Sequence, residues 1–338
     1  MKKSILIILV TLLFITGCGK KEEQKQPIDN NPNVKEEEKK EEVKKEVTVF
    51  DMKSNARPYA VVYNNTPVAI KVQTGMQEAY LVYEIPVEGS MSRILALFQN
   101  KTHEIGTIRS ARHDFLDYAL ENDAIFVHWG YSHYAQNQIP KLGVNNINGL
   151  SDSGFYRNNP EKLATEHTGY TTLAKMKSTA EKKKYRTTTD VKPPVNIVAE
   201  EVNLNEKANN KVANTVEIPY GSFTAKFVYD AESKLYKRYA KGKENIDYAT
   251  KEQYTAKNII VTKITYQMAD DNYYWDLNNT GKGSGYYITN GYAVPITWQK
   301  DSRSSKTIYK YEDGTEISVN DGLTWIALQT TKKTLSIN

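Results

Sequence analysis

A change of pattern at Lys192-Pro193-Pro194 limits the fold of this 338-residue chain more than any other feature. Upstream, from Asn55 to about Thr189, apolar runs alternate with helical patterns. The runs "AYLVYEIPV" (79–87) and "SRILALFQ" (92–99) read as strands around a turn at Gly89-Ser90. "AIFVHWG" (124–130) reads as another buried strand. "SRILALFQ" is apolar on both faces, as a central strand covered on both sides would be. Three helices are predicted between and after these strands: Ala111 to about Glu121 with Ser110 as N-cap, "SHYAQNQIPKLG" closed by Gly143, and a lysine-rich helix over 171–184. Downstream the helical patterns stop. Short strands follow, with Asn290-Gly291 and Asp313-Gly314 set between alternating runs as hairpin turns. The fold class expected is α+β: an N-terminal mixed-sheet α/β domain over 51–190, a polar linker over 191–213, and a mostly-β C-terminal domain over 214–338. The last segment carries 14 of the 24 tyrosines and three of the four tryptophans. Cross-strand packing accounts for them without a ligand. A sugar-stacking platform is the functional alternative.

The first fifty residues belong to neither pattern. Met1–Gly17 has two lysines, an apolar run from Ile5 to Ile15 and a small-residue end. This is a secretory signal, too short to cross a hydrocarbon layer of roughly 30 Å as a helix. It runs into Ile15-Thr16-Gly17-Cys18, which resembles the bacterial lipobox, whose cysteine is acylated after the preceding peptide is removed. Cys18 is the only cysteine, so an exported chain can form no internal disulfide and the thiol has no other evident use. Two or more acyl chains anchor stably where one does not. Residues 18–50, rich in Lys and Glu, read as a solvated tether. Its coil span is on the order of 30 Å, and about 100 Å when drawn out. Loss of Lys2 and Lys3 with the signal leaves 43 basic against 40 acidic side chains. That balance points away from nucleic acid, while a local basic patch could still meet polyanionic wall polymer or anionic lipid.

The stretch "IGTIRSARHDFL" (105–116) poses a charge problem. Helix N-termini carry partial positive charge and favour Asp or Glu. Arg109 and Arg112 bracket the expected cap instead. An anion gripped by two guanidinium forks and free backbone N–H groups would explain them. Glu84 and Glu88, on the preceding hairpin with Arg93 just beyond, could supply that anion from inside; a bound carboxylate or phosphate could supply it from outside. Among the histidines, His128 ends a buried strand, His167 lies in the loop "ATEHTGYTT", and His103 and His113 are expected at the surface. Zinc held by His128, His167 and a glutamate stays open, with nitrogen and oxygen ligands only. No other cofactor is expected: "GKGSG" (281–285) lacks the helix a phosphate loop needs, and Gly-x-Ser-x-Gly is absent.

The runs "RPYAVVYNN" (57–65), "QEAYLVYEIPVEGSMSRILALFQ" (77–99), "IGTIRSARHDFLDYALENDAIFVHWGYS" (105–132) and "EHTGYTT" (166–172), with the tail from "GSGYYITNGYAVPITWQ" to "DGLTWIAL", together resemble the YerB-like lipoproteins of low-GC Gram-positive bacteria. The resemblance covers nearly all of 55–330 and implies two consecutive domains of unknown function. It carries the hairpin motif onto Glu84, Glu88, Gly89 and Arg93, the arginine turn onto Arg109 and Arg112, and two histidines onto His128 and His167. The expected function is a lipid-anchored protein on the outer face of the cytoplasmic membrane. It would bind a cell-envelope ligand or protein and support wall maintenance. The alternative is an enzyme on wall glycan or phosphate-linked polymer, with Glu84 or Glu88 as acid or base and His128 and His167 as helpers or metal ligands.

Overall fold

Strand Leu81–Val87, buried along its whole length, pairs antiparallel with Met91–Phe98 through the turn at Glu88-Gly89-Ser90, where Gly89 and Ser90 take φ of 75° and 57°. The computed structural model describes residues 45–100 and 104–338. The signal peptide, Cys18, most of the tether and His103 lie outside the described residues. The tether was expected to reach residue 50, yet Thr48 and Val49 donate their backbone N–H groups to Asp321, each at 2.9 Å, and Phe50 is buried edge-on against Tyr80.

One large sheet runs through both halves of the chain, and the fold is α+β. Tyr59–Tyr63 and Ile125–His128 extend it on one side of the hairpin. On the other side Thr324–Thr330 lies parallel to Leu81–Val87, and Asn258–Met268 lies parallel to it in turn, followed by Gly281–Thr289 and Tyr292–Lys300. The last long strand of the chain therefore occupies the middle of the sheet. Its sequence, "TWIALQT", is buried at every position, as a strand covered on both faces must be.

Each face of this sheet has its own core. One face packs Ala60, Val62, Tyr83, Leu95 and Ile326 against Phe115 and Leu116 of helix α1 (Phe115–Glu121) and Ala135 and Ile139 of α2 (His133–Lys141). The other face packs Val61, Val82, Ile94 and Trp325 against α3 (Leu173–Lys182) and a second sheet. That second sheet has the alternating burial of a one-sided surface, seen in Thr215–Pro219 and Leu235–Ala240.

Ser132 caps α2 through Ala135 N, and α3 begins at Thr172 as its cap, close to expectation. Helix α1 differs. It starts at Phe115, four residues later than predicted, because the backbone of Arg109–Ala111 is not helical and is bonded elsewhere. Arg109 N donates to Val62 O, Ala111 N to Gly130 O, and Ser132 N to Ala111 O. Ser110 caps nothing; its hydroxyl donates to Trp129 O at 3.1 Å. The arginines therefore do not sit on a helix N-terminus.

Candidate functional site

The expected cluster separates into a sealed part and an open part. Glu84 is fully buried in the middle of the sheet. Ser92 Oγ (2.7 Å), Asn65 Nδ2 (3.1 Å), Arg238 Nη2 (3.2 Å) and Trp325 Nε1 (3.0 Å) all donate to its carboxylate. Arg238, also fully buried, lies 4.7 Å from the centroid of the Trp325 ring and donates to Asn245 as well. A charge taken this far from water is tolerable only when so paired. Glu84 thus joins the two halves of the chain and is removed from Arg109 and Arg112.

Glu88, only four residues on, turns the other way. Arg112 grips its carboxylate through Nε (2.9 Å) and Nη2, and Arg93 Nη2 stands at 3.6 Å. Arg93 Nη1 also donates to Ser110 O at 2.7 Å. Burial alone would raise the Glu88 carboxyl, but the hydrogen bonds and charge of Arg112, with Arg93 behind, hold it below the ordinary carboxylate range. Burial, and then the neighbouring Arg112, bring Arg93 down to about 9, against the pull of Glu88. The Arg112 guanidinium lies 5.0 Å from the Tyr274 ring, on a hairpin of the C-terminal half. Arg93 and Arg112 therefore share one glutamate.

Arg109 opens onto a groove of about 440 Å³ lined by Ile108, Ser110, Trp129, Tyr131, Leu150, Arg157, Thr165 and Glu166. Two guanidinium groups face this groove, and both are held by one short turn, Thr165–His167. Arg109 Nη1 donates to Glu166 O at 3.4 Å, and Arg157 Nη1 donates to Thr165 O. Arg157 lies flat on Trp129, 3.8 Å from the ring centroid. The Nε of Arg109 is buried without a partner. Leu150, 66 % exposed, and Tyr131, 36 % exposed, give the rim an apolar side. Arg157 was not foreseen. Nothing in "GFYRNN" distinguishes it until the turn that fixes it is known.

The histidines do not join this assembly as a unit. His128 is fully buried, its Nδ1 against Gly130 O at 2.8 Å and its Nε2 against Asn146 Oδ1 at 3.1 Å, and burial lowers its pKa. It is a structural group, held on both ring nitrogens. His167, half-buried, reaches Asn64 Nδ2 at 2.9 Å on the inner side of the groove turn. Burial, and to a smaller extent Arg109, lowers its pKa, while Glu166 opposes them. Among the described residues no three or more His, Cys, Asp or Glu gather as metal ligands would, so His128, His167 and a glutamate make no zinc site. His113, expected at the surface, is buried, 2.6 Å from Asp276 of the C-terminal half, because the hairpin carrying Tyr274 and Asp276 packs over it.

Residues 46–186 match a family model described as the N-terminal domain of a protein of unknown function (DUF3048), and 215–326 match its C-terminal domain. YerB of Bacillus subtilis (strain 168), named as a lipoprotein, is 30 % identical over 280 residues, 80 % of either chain. The chain belongs to the YerB-like family. A crystal structure of the Bacillus subtilis YerB protein superposes with a TM-score of 0.74 at 26 % identity, over 86 % of this chain and 96 % of that one. The strand Thr324–Thr330, at the end of the C-terminal family segment, is thus the piece inserted beside the central hairpin of the N-terminal one.

Proposed function

We propose that this YerB-like protein is a lipoprotein, anchored through Cys18 to the outer face of the cytoplasmic membrane, that binds an anionic cell-envelope polymer in the Arg109–Arg157 groove and so supports wall maintenance. One observation carries the reading: two guanidinium groups, pinned to adjacent carbonyls of one turn, face a single open groove. A planar fork held in place loses little freedom on gripping a carboxylate or phosphate. Glu166 is the one acidic side chain lining the groove, and Arg93 and Arg112 outweigh Glu88 next to it, so the local field favours an anion. The apolar rim of Tyr131 and Leu150 suits the faces of sugar rings better than a bare ion.

The geometry does not favour the enzymatic alternative. Glu84 has donors on both carboxylate oxygens and no exposure, and Glu88 is held by Arg112. Neither is free to trade a proton with a substrate.

The test is co-sedimentation of the mature chain with purified sacculi and with teichoic polymers. Binding that drops at least about tenfold in the R109A/R157A double variant, with an unchanged melting temperature, supports the assignment. No binding by the parent chain, or equal binding by the variant, overturns it.

A further inference from the structure

Away from the groove, a second hollow lies where the two halves of the chain meet. It measures about 530 Å³ and is lined by Pro67, Ile70 and Lys71 from the N-terminal half. From the C-terminal half come the hairpin Ala240–Glu244 and the loop Ile246–Lys251. That volume is in the range of small-ligand sites, about 300–1,000 Å³. Its floor is apolar, from Pro67, Ile70, Ala240, Ile246 and the ring of Tyr248, and Val68 beside it is 45 % exposed.

Its rim is basic. Lys71, Lys241, Lys243 and Lys251 surround the opening. Lys241 and Gly242, with φ of 54° and 74°, form the tight turn that sets Lys241 and Lys243 at the hairpin tip. Lys251 Nζ lies 3.9 Å from the Tyr248 centroid, and Lys71 has only a long, exposed approach to Glu161 at 3.9 Å. Of the two lining carboxylates, Asp247 is spent internally. Thr74 Oγ1, Gly75 N, Tyr254 OH, Ala249 N and Thr250 N donate to it at 2.7–3.1 Å. Of the lining carboxylates only Glu244 is left against the four lysines, with Glu161 at the far side of Lys71.

We propose that this hollow takes an anionic membrane lipid, its headgroup among the four lysines and the start of an acyl chain on the Ile70–Ile246–Tyr248 floor. An apolar floor with a cationic rim matches the two ends of such a molecule, and neither a bare anion nor a neutral lipid meets both. Each lysine near an anionic headgroup contributes roughly fivefold in affinity. The site is independent of the groove; only the choice of a membrane lipid as its source rests on the anchor proposed at Cys18, which would keep the hollow within reach of the bilayer.

The test uses the mature chain from residue 18 carrying Cys18→Ala, so that no acyl group of its own competes. It is titrated calorimetrically with dihexanoylphosphatidylglycerol below its micelle-forming concentration. Saturable binding of one lipid per chain is expected, with dihexanoylphosphatidylcholine and glycerol phosphate each weaker by roughly tenfold or more. The K241E/K243E variant should lose roughly tenfold or more in affinity without a change in melting temperature, since both side chains are exposed. The R109A/R157A variant should bind the lipid as the parent does, whatever becomes of polymer binding. Equal affinity for phosphatidylcholine would make the rim irrelevant, and equal affinity for glycerol phosphate would make the hollow a free-anion site. Either result overturns the proposal, as would undiminished binding by the charge-reversed variant.

Discussion

Glu84 and Arg109 entered the sequence reading as members of one cluster, and the fold gives them opposite environments. Glu84 lies at the centre of the main sheet with four side chains donating to it and no contact with solvent. Arg109 lies at the sheet's end, half-exposed, with one long hydrogen bond and an unpartnered Nε. The first arrangement is complete and can only hold the protein together. The second has hydrogen-bonding capacity left for something else. Motif membership does not separate these two roles; satisfaction of donors and acceptors does.

Substitutions that break the sealed region should have the largest effect. Arg238→Met leaves Glu84 buried without its cation, and the loss of such a partner costs about 3–5 kcal/mol. Urea unfolding should show that loss for Arg238→Met, and a smaller effect for the paired change Glu84→Gln with Arg238→Met. A cost below about 1 kcal/mol would mean that this pair does not join the halves. Another fully buried ion pair among the described residues, Glu121–Lys300, which links α1 to strand Tyr292–Lys300, should respond in the same way to Lys300→Met.

The triad of Glu88, Arg93 and Arg112 is intermediate. Arg112→Ala strips Glu88 of its bidentate donor and should cost about 1–3 kcal/mol near neutral pH. The Glu88 carboxyl is held low in the fold, so its contribution is complete above its ordinary range and is lost as pH falls through the folded value. Acid titration of stability should therefore fall less steeply in the variant than in the parent. Parallel curves would show that Arg112 does not hold the Glu88 charge.

His128 gives a smaller effect with its own window. Burial lowers its pKa, so below about 6.5 the unfolded chain binds a proton there before the folded one does. The stability this contributes is complete above that value and declines on acidification. His128→Asn should flatten the fall in melting temperature between about pH 7 and pH 5 by roughly 2 °C. Smallest of all is Arg109→Ala, expected within about 0.5 kcal/mol of the parent while weakening polymer binding. A large stability loss there would move Arg109 to the sealed side of the comparison.

Much of the fold was legible because it was written locally. The two-faced apolarity of "SRILALFQ" marked a central strand, and Ser132 marked the start of α2. The start of α1 was not legible, because Ser110 and the flanking backbone are bonded to Trp129, Gly130 and Val62, partners that only the tertiary fold supplies. The placement of Thr324–Thr330 beside Leu81–Val87, some 240 residues earlier, has no local signature either. Arg238 did leave one: in "KLYKRYA" it shares the inward register with Tyr236 and Ala240, a charge where the period of two calls for an apolar side chain. Its partner could have been sought among the glutamates of the other half. The groove pair was legible only in part, through Arg109, since Arg157 gains its position from carbonyls of the turn 165–167.

The most direct test is a crystal structure of the mature chain with a short teichoic or glycan fragment bound. The account predicts ligand density in the groove, with an anionic group within hydrogen-bond distance of both Arg109 and Arg157 and the Glu88–Arg112 pair intact beside it. A fragment bound anywhere else, with the groove side chains unchanged, would contradict it.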